Sequence, residues 1–433
     1  MASNDAVSNL NGNYKTVHGE LVDLSPKADF LHSTIAYRKD KKVGAKFEEP
    51  IVLGDENAIT YAGSDTTEVT FEVPTGMFMA PAQITPNTYY NRVRITYPAA
   101  TRAESEGPAA YMDAVSLVLM NGQKALQKRH SISMIYGRCE TGIGQVAIGA
   151  AVTVDSTTMD FEFSEQQWAP GIWRRLKNAR IQTTNASGTI DSGGGSDAIT
   201  IARITHSTRT VRVTFANGTL KTNVANRNAT EVLNCFFYGS VANDMLGMVE
   251  IFGNVDGTVF AIDAQANSEW QGNVFNVGNK RLTGNHVQGY ASVLQDRGLE
   301  DEDLILFCSN RTWADLHGQL QSARVWDSSY QSNMAKQGFN AIRYFSSSGW
   351  IQVVGSSYMK GGDALMFPKS CMSRIGSKDR SFNIPGAETD PWHDVPDKSS
   401  AELTLMTDMG LFCNAPSVCA YISGITNERT VTG

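Results

Sequence analysis

The side chains able to do chemistry are scattered along this chain. Its seven histidines, His18, His32, His130, His206, His286, His317 and His393, include no pair at i, i+4 and none beside a cysteine. Metal binding or base catalysis needs several groups converging on one point, so isolated histidines read as structural hydrogen-bonding residues. The six cysteines, Cys139, Cys235, Cys308, Cys371, Cys413 and Cys419, form no C-x-x-C and read as reduced thiols. Cys413 and Cys419, taken as residues of one strand, are poorly placed to bond to each other. Adjoining carboxylates at Asp301, Glu302 and Asp303 suggest either a calcium site or, preferably, a solvated turn. Gly142-x-Gly144-x-x-Ala147, with Glu162 downstream, imitates a dinucleotide fingerprint, which needs a strand before it and a helix after it; here that order is reversed. The glycines of Ser192 to Asp197 lack the Gly-Lys-Ser/Thr ending of a phosphate loop and read as a turn. No G-x-S-x-G, H-E-x-x-H or Walker sequence occurs. The expectation is a non-enzyme without cofactor or metal.

Composition points the same way. At 433 residues, 19% charged and 41% hydrophobic, the chain can bury sizeable cores in two or three domains. Its net charge of -7 gives no bulk reason for tight nucleic-acid binding. The N-terminus lacks a basic start and an apolar core, and no run reaches the ~18 apolar residues of a membrane span. A cytosolic protein is expected, unprocessed at both ends, its polar first thirty or so residues ordered by contacts with other parts or other chains.

The dominant element is predicted over Ala109 to Tyr136, where Tyr111, Val115, Val118, Leu119 and Leu126 recur at helical spacing. Pro108 suits the first helical position, and Lys124, Lys128 and Arg129 suit the C-terminal half. Asn121-Gly122 offers a competing hairpin, but QKALQKR is made of good helix formers. A helix of roughly 40 Å, at ~1.5 Å per residue, is longer than one globular sheet needs and implies something extended to brace.

Before it, Arg38 to Gly63 reads as a long hairpin arm, with runs at Val43 to Leu53, interrupted at Pro50, and at Ala58 to Ala62. The arm is basic at Arg38, Lys39, Lys41, Lys42 and Lys46, and acidic at Glu48, Glu49, Asp55 and Glu56. Because a two-stranded arm is marginal alone, these charges are candidate contacts to a neighbouring subunit, setting register more than affinity. Strands are predicted at Glu68 to Pro74 and Tyr89 to Pro98. Short alternating runs make Ala151 to about Asn234 a compact all-β insertion. Beyond Ser240 the pattern is mixed, with helices at Thr283 to Gly298 and Arg311 to Leu320, a buried strand DLILFCS, strands at Trp350 to Val354 and Ala364 to Phe367, and two closing strands broken at Pro416.

In this order, AAYMDAVSLVLMNGQKALQKRHSISMIYG with TGIGQVA, GSVANDMLGMVEIFGNVDGTVFAIDA, EWQGNVFNVGNKRLTG and AELTLMTDMGLFCNAPSVCAYISGI resemble the major capsid proteins of tailed bacteriophages, the Hong Kong 97-like family. The resemblance implies an α+β fold with a long spine helix, an extended hairpin loop and an all-β insertion domain. It divides the chain into an N-terminal arm (1–35), extended loop (36–75), peripheral domain with spine helix (76–150), insertion domain (151–239), axial domain (240–370) and a return to the peripheral domain (371–433). It further implies self-assembly through pentamers and hexamers into an icosahedral shell around double-stranded DNA, held by weak non-specific contact. Implied partners are a separate scaffolding protein and a portal, with a decoration protein left open and no membrane. The implied location is the virion capsid, assembled in the host cytoplasm. No match is found here for the lysine and asparagine that crosslink some members. An encapsulin-type shell, and a tail or carbohydrate-binding β-rich protein, are the alternatives.

Overall fold

The computed structural model describes residues 30–39, 46–64, 68–97, 108–192, 197–299, 302–324, 342–347, 349–381, 392–396 and 398–427. The expectations for both termini, and for Lys41, Lys42 and Asp301, lie outside the described residues. The chain divides into two compact units, one drawing on Met1–Ala45, Thr85–Ser131 and Arg374–Gly410, the other on Lys46–Ile84, Ile132–Ser373 and Leu411–Gly433.

The long helix runs from Pro108 to Tyr136, 29 residues without a break, so the hairpin competitor at Asn121-Gly122 is excluded. Gly122 sits in the helix interior because its surroundings leave no room. A Cβ there would lie 2.9 Å from Val93 Cγ2, and the Gly122 carbonyl accepts a 2.8 Å hydrogen bond from Asn91 Nδ2. From His130 to Gly137 every residue is buried, whichever way it faces, so the end of the helix is core rather than one amphipathic stripe. The side chains of Tyr111, Val115 and Val118 lie outside the described set, while Leu126 is buried.

The first unit holds most of a five-stranded sheet in the order Ala36–Lys39, Met372–Ser381, Ser400–Cys413, Trp392–Asp394, with Asn87–Thr96 paired to Ser400–Cys413. Asn87 stands opposite Met409 and Thr96 opposite Ser400, a register that sets Arg94 against Glu402. The Arg94 guanidinium on Glu402 holds that carboxyl below its ordinary range, with Arg92 adding to the effect. Buried Arg374 donates to the Ile35 carbonyl at 3.0 Å and lies 2.9 Å from His32 Nδ1, pinning the short helix Phe30–Thr34 to this sheet. Its charge is balanced by Asp379 at 3.4 Å.

The second unit contains a six-stranded mixed sheet in the order Asn273–Lys280, Ala420–Ile425, Ala364–Pro368, Leu304–Ser309, Gly349–Ser356, Ile342–Ser346. Its central strands LILFCS and ALMFP are buried at every position, as expected of strands covered on both faces. Helices Gly284–Asp296 and Asn310–Arg324 agree with prediction, and Thr283 caps the first through its hydroxyl.

The predicted insertion closes into a barrel of Gly144–Thr153, Thr158–Phe163, Arg180–Thr184, Ile199–Thr205, Thr210–Phe215 and Leu233–Phe237. Two details differ from the sequence reading. The first barrel strand starts at Gly144, and the insertion is not all-β, because Gly218–Asn228 is a helix capped by Asn217. The buried Asn228 side chain takes the Ala151 N–H and donates to the Ala147 carbonyl, both at 2.9 Å, bracketing an irregularity in the first strand. Alternation between polar and apolar residues concealed that helix, since GTLKTNVANRN has only two apolar anchors that become buried, Leu220 and Val224.

Candidate functional site

Among the described residues no three His, Cys, Asp or Glu side chains come together as metal ligands. The two described members of the acidic cluster serve as hydrogen-bond acceptors, Glu302 for the Ser370 hydroxyl and Asp303 for the Trp350 N–H at 2.9 Å. Gly142 leads into the strand Gly144–Thr153, not a helix, so the dinucleotide fingerprint lacks its binding element. Gly142 instead sits at φ +51, where a Cβ would lie 2.2 Å from the Cys235 carbonyl oxygen.

The densest chemistry in the second unit is a buried polar cluster that sequence reading missed. Lys360, fully buried, donates from Nζ to Thr141 Oγ1 and the Gly142 carbonyl, both at 2.9 Å, and lies 4.4 Å from the centre of the Tyr136 ring. Asp363 accepts from the Tyr136 and Tyr421 hydroxyls at 3.2 and 3.0 Å. The Tyr136 oxygen in turn accepts the Lys360 backbone N–H at 2.8 Å. Burial lowers the pKa of the Lys360 ammonium and raises that of the Asp363 carboxyl, while the nearby opposite charge works against both changes. Burial also raises the pKa of the Tyr136 hydroxyl. Every one of these groups is occupied by a protein partner, so the cluster ties the loop before Ala364–Pro368 to the end of the long helix rather than presenting a reactive group.

The other prominent feature is the arm. Phe47–Gly54 pairs antiparallel with Phe78–Ile84, Phe47 opposite Ile84, and an isolated bridge joins Asn57 to Thr75. The predicted return strand at Ala58 to Ala62 and the predicted strand at Glu68 to Pro74 are not strands; they form the tip, and the true second strand begins at Phe78. Pro50 does not interrupt the strand, because it stands opposite Pro81. The Gln83 N–H points away from the partner strand, to the Phe260 carbonyl at 2.8 Å, so Glu48–Gln83 is a non-hydrogen-bonded pair. By alternation Pro50–Pro81 is another, and neither proline forfeits a ladder bond. The missing outward N–H groups also blunt both edges of the arm against strand addition.

Burial fades along the arm. Phe47, Ala82 and Ile84 at the root are buried, whereas Ile59 is 65%, Tyr61 91%, Phe71 81% and Val73 81% exposed at the tip. The root rests on the hairpin Thr258–Val259 with Ile262–Asp263, whose turn residues Phe260 and Ala261 have φ of 54° and 64°. Such a turn ordinarily takes Asn-Gly; here Phe260 is held by Phe412 and Trp270, with ring centroids at 5.3 and 6.4 Å. Replacing exposed Ala261 by Gly should relieve the strain and raise stability by about 1 kcal/mol, read from the urea midpoint.

The charged residues singled out from sequence are divided by the fold. Arg38 and Lys39 belong to the strand Ala36–Lys39 of the first unit. Lys46 and Glu48 lie at the arm root, where Lys46 Nζ donates to Gln83 Oε1 at 2.8 Å and Gln83 Nε2 donates to Glu48 Oε1 at 3.2 Å. Glu49 stands opposite Ala82, and Asp55 and Glu56 follow the first strand toward the tip. What the sequence reading passed over is the apolar tip. Its signal is the alternation of Val69, Phe71 and Val73, which indicates a half-buried strand and finds no partner strand among the described residues.

No family model matches the chain, and no curated protein matches it by sequence. Solved structures do match. The cyanophage A-1(L) capsid asymmetric unit aligns at TM-score 0.52 and 11% identity, over 97% of this chain and 99% of that one. The capsid of cyanophage P-SCSP1u aligns at TM-score 0.47 and 10% identity, over 97% and 94% of the two chains. An encapsulin complex from Synechococcus elongatus aligns at TM-score 0.41 and 7% identity, over 98% and 96%. Over nearly its whole length the chain therefore has the fold of a phage capsid subunit.

Proposed function

We propose that this chain is the major capsid protein of a tailed bacteriophage, with a Hong Kong 97-like fold. Its copies associate as pentamers and hexamers and close into an icosahedral shell around double-stranded DNA, without catalysis. The observation that carries the reading is the whole-length match to a capsid subunit, with almost none of either chain left over. The exposed apolar arm tip supports it, since large hydrophobic side chains projecting from a narrow hairpin need a covering partner. In a shell of identical subunits that partner is another copy.

On this reading Pro108–Tyr136 is the spine helix, the arm over Lys46–Ile84 is the extended loop and the six-stranded sheet belongs to the axial domain. The five-stranded sheet is peripheral, and the barrel is an insertion domain. The particle forms in the host cytoplasm with a separate scaffolding protein and a portal. With a net charge of -7 the shell holds DNA by weak, non-specific contact.

Charge reversal in and before the arm tests the reading. The variant carrying Lys41→Glu, Lys42→Glu and Lys46→Glu should fold with an unchanged circular-dichroism spectrum yet sediment as subunits, while the wild type sediments as large particles. Normal particles from the triple variant in electron micrographs would remove the basic residues from the assembly contact.

A further inference from the structure

Three of the six cysteines, far apart in sequence, meet in the second unit. The strand Ser400–Cys413 ends at Cys413, the chain turns through the short helix Pro416–Val418, and Cys419 comes back beside it with the two sulfurs 3.8 Å apart. The turn between them overturns the expectation that they share one strand and are poorly placed to bond to each other. Cys371, at the end of the turn Lys369–Cys371, makes a thiol hydrogen bond with Cys419, and its carbonyl accepts the Asn414 N–H at 3.1 Å.

The three residues are all buried, though not to the same depth. Cys413 and Cys419 are fully buried; Cys371 is 9% exposed and follows Lys369 and Ser370, both exposed at the surface. Ser370 Oγ lies 3.8 Å from the Cys371 sulfur, and the Glu302 carboxylate is the negative group nearby. We infer that Cys371, Cys413 and Cys419 form a thiol relay in which Cys371 meets a small soluble disulfide and passes the oxidation inward, leaving a Cys413–Cys419 disulfide.

Each step exchanges one sulfur partner. The Cys371 thiolate attacks one sulfur of the soluble disulfide, forming a mixed disulfide and releasing one thiolate, which takes up the proton Cys371 gave. Cys419 then attacks the Cys371 sulfur and expels the second thiolate, which takes the Cys419 proton. Finally Cys413 attacks the Cys419 sulfur, and Cys371 leaves with the Cys413 proton. The soluble disulfide is reduced to two thiols, and Cys413 and Cys419 are oxidised with loss of two hydrogens. The hydrogen bond with Cys419 lowers the pKa of the Cys371 thiol, favouring it as the attacking group, whereas burial raises that of Cys419. The Cys413 and Cys419 sulfurs must close from 3.8 Å to the ~2.05 Å of a disulfide, a movement within reach of side-chain rotation.

The relay does not depend on the capsid reading and is tested on the folded full-length chain with oxidised glutathione. Alkylation should count four thiols in place of six, and the peptide containing Cys413 and Cys419 should be two hydrogens lighter and resist alkylation. Cys371→Ser should slow this oxidation at least tenfold. Cys139→Ser should not, although Cys139 is exposed to the same 9%, because its sulfur contacts the Thr141 hydroxyl at 3.3 Å and, among the described hydrogen bonds, none of the three relay sulfurs. Six alkylatable thiols in the treated wild type, a bridge between any other pair, or equal rates for Cys371→Ser and wild type would each overturn the assignment; the wild-type result decides even where a variant misfolds.

Discussion

A chain carrying Phe71→Asp and Val73→Asp should fold normally and fail to assemble. Both side chains are 81% exposed, so the substitutions remove no buried contact within the subunit, and its thermal transition should move by no more than about 1–2 °C. Across an interface the effect is large. Truncating a buried aromatic anchor costs about 2–4 kcal/mol, and placing an unpaired carboxylate in its pocket adds to that. Because every subunit in a closed shell repeats the contact, the loss recurs at each arm. Analytical ultracentrifugation should show only subunits or small oligomers. Tyr61→Ala, at 91% exposure, should have the same direction with a smaller effect. Particles of normal size and yield from the double variant would show that the tip is not an assembly contact.

The second large effect lies inside the subunit. Lys360→Met leaves Asp363 buried with two tyrosine hydroxyls and no cation, and should cost about 3–5 kcal/mol, a large share of a domain's net stability. The sign of its pH dependence follows from the carboxyl. Burial holds the folded-state pKa of Asp363 above 3.8, so in the variant the folded state binds the proton more tightly than the unfolded state. The deficit against wild type is therefore smallest in acid and grows as pH rises through the folded-state value. Adding Asp363→Asn, which keeps an acceptor for a tyrosine hydroxyl and removes the charge, should recover part of the loss. Urea midpoints across pH measure this directly, and a Lys360→Met cost below about 1 kcal/mol would show that the cluster is not electrostatically coupled.

Local pattern was enough to read the elements that are long or fully buried. The 29-residue helix, the strand LILFCS and the helix capped by Thr283 each declare themselves within a dozen or so residues through periodicity, uniform hydrophobicity or capping chemistry. Features set by pairing between distant segments were not legible. FMAPAQI, with Pro81 in its middle, gives little strand signal until Pro50 is seen opposite it, where neither residue needs its N–H. TFEVP carries a clear alternation and yet has no partner strand among the described residues, so alternation alone assigns it a sheet that is not seen there. Lys360 precedes two glycines in an unremarkable loop, and only the tertiary fold reveals that it is buried against Tyr136. Cys413 and Cys419 face each other because of a turn around Pro416 that strand reasoning treated as a mere break.

The fold of a capsid subunit and an arm with an uncovered apolar tip together make self-association the central claim. Electron microscopy of the purified full-length chain, alone and with the scaffolding protein proposed for it, tests it most directly. Closed shells of uniform diameter, with each arm tip buried against a neighbouring copy, are the predicted result. A stable monomer under both conditions, its tip aromatics still open to solvent, would contradict it.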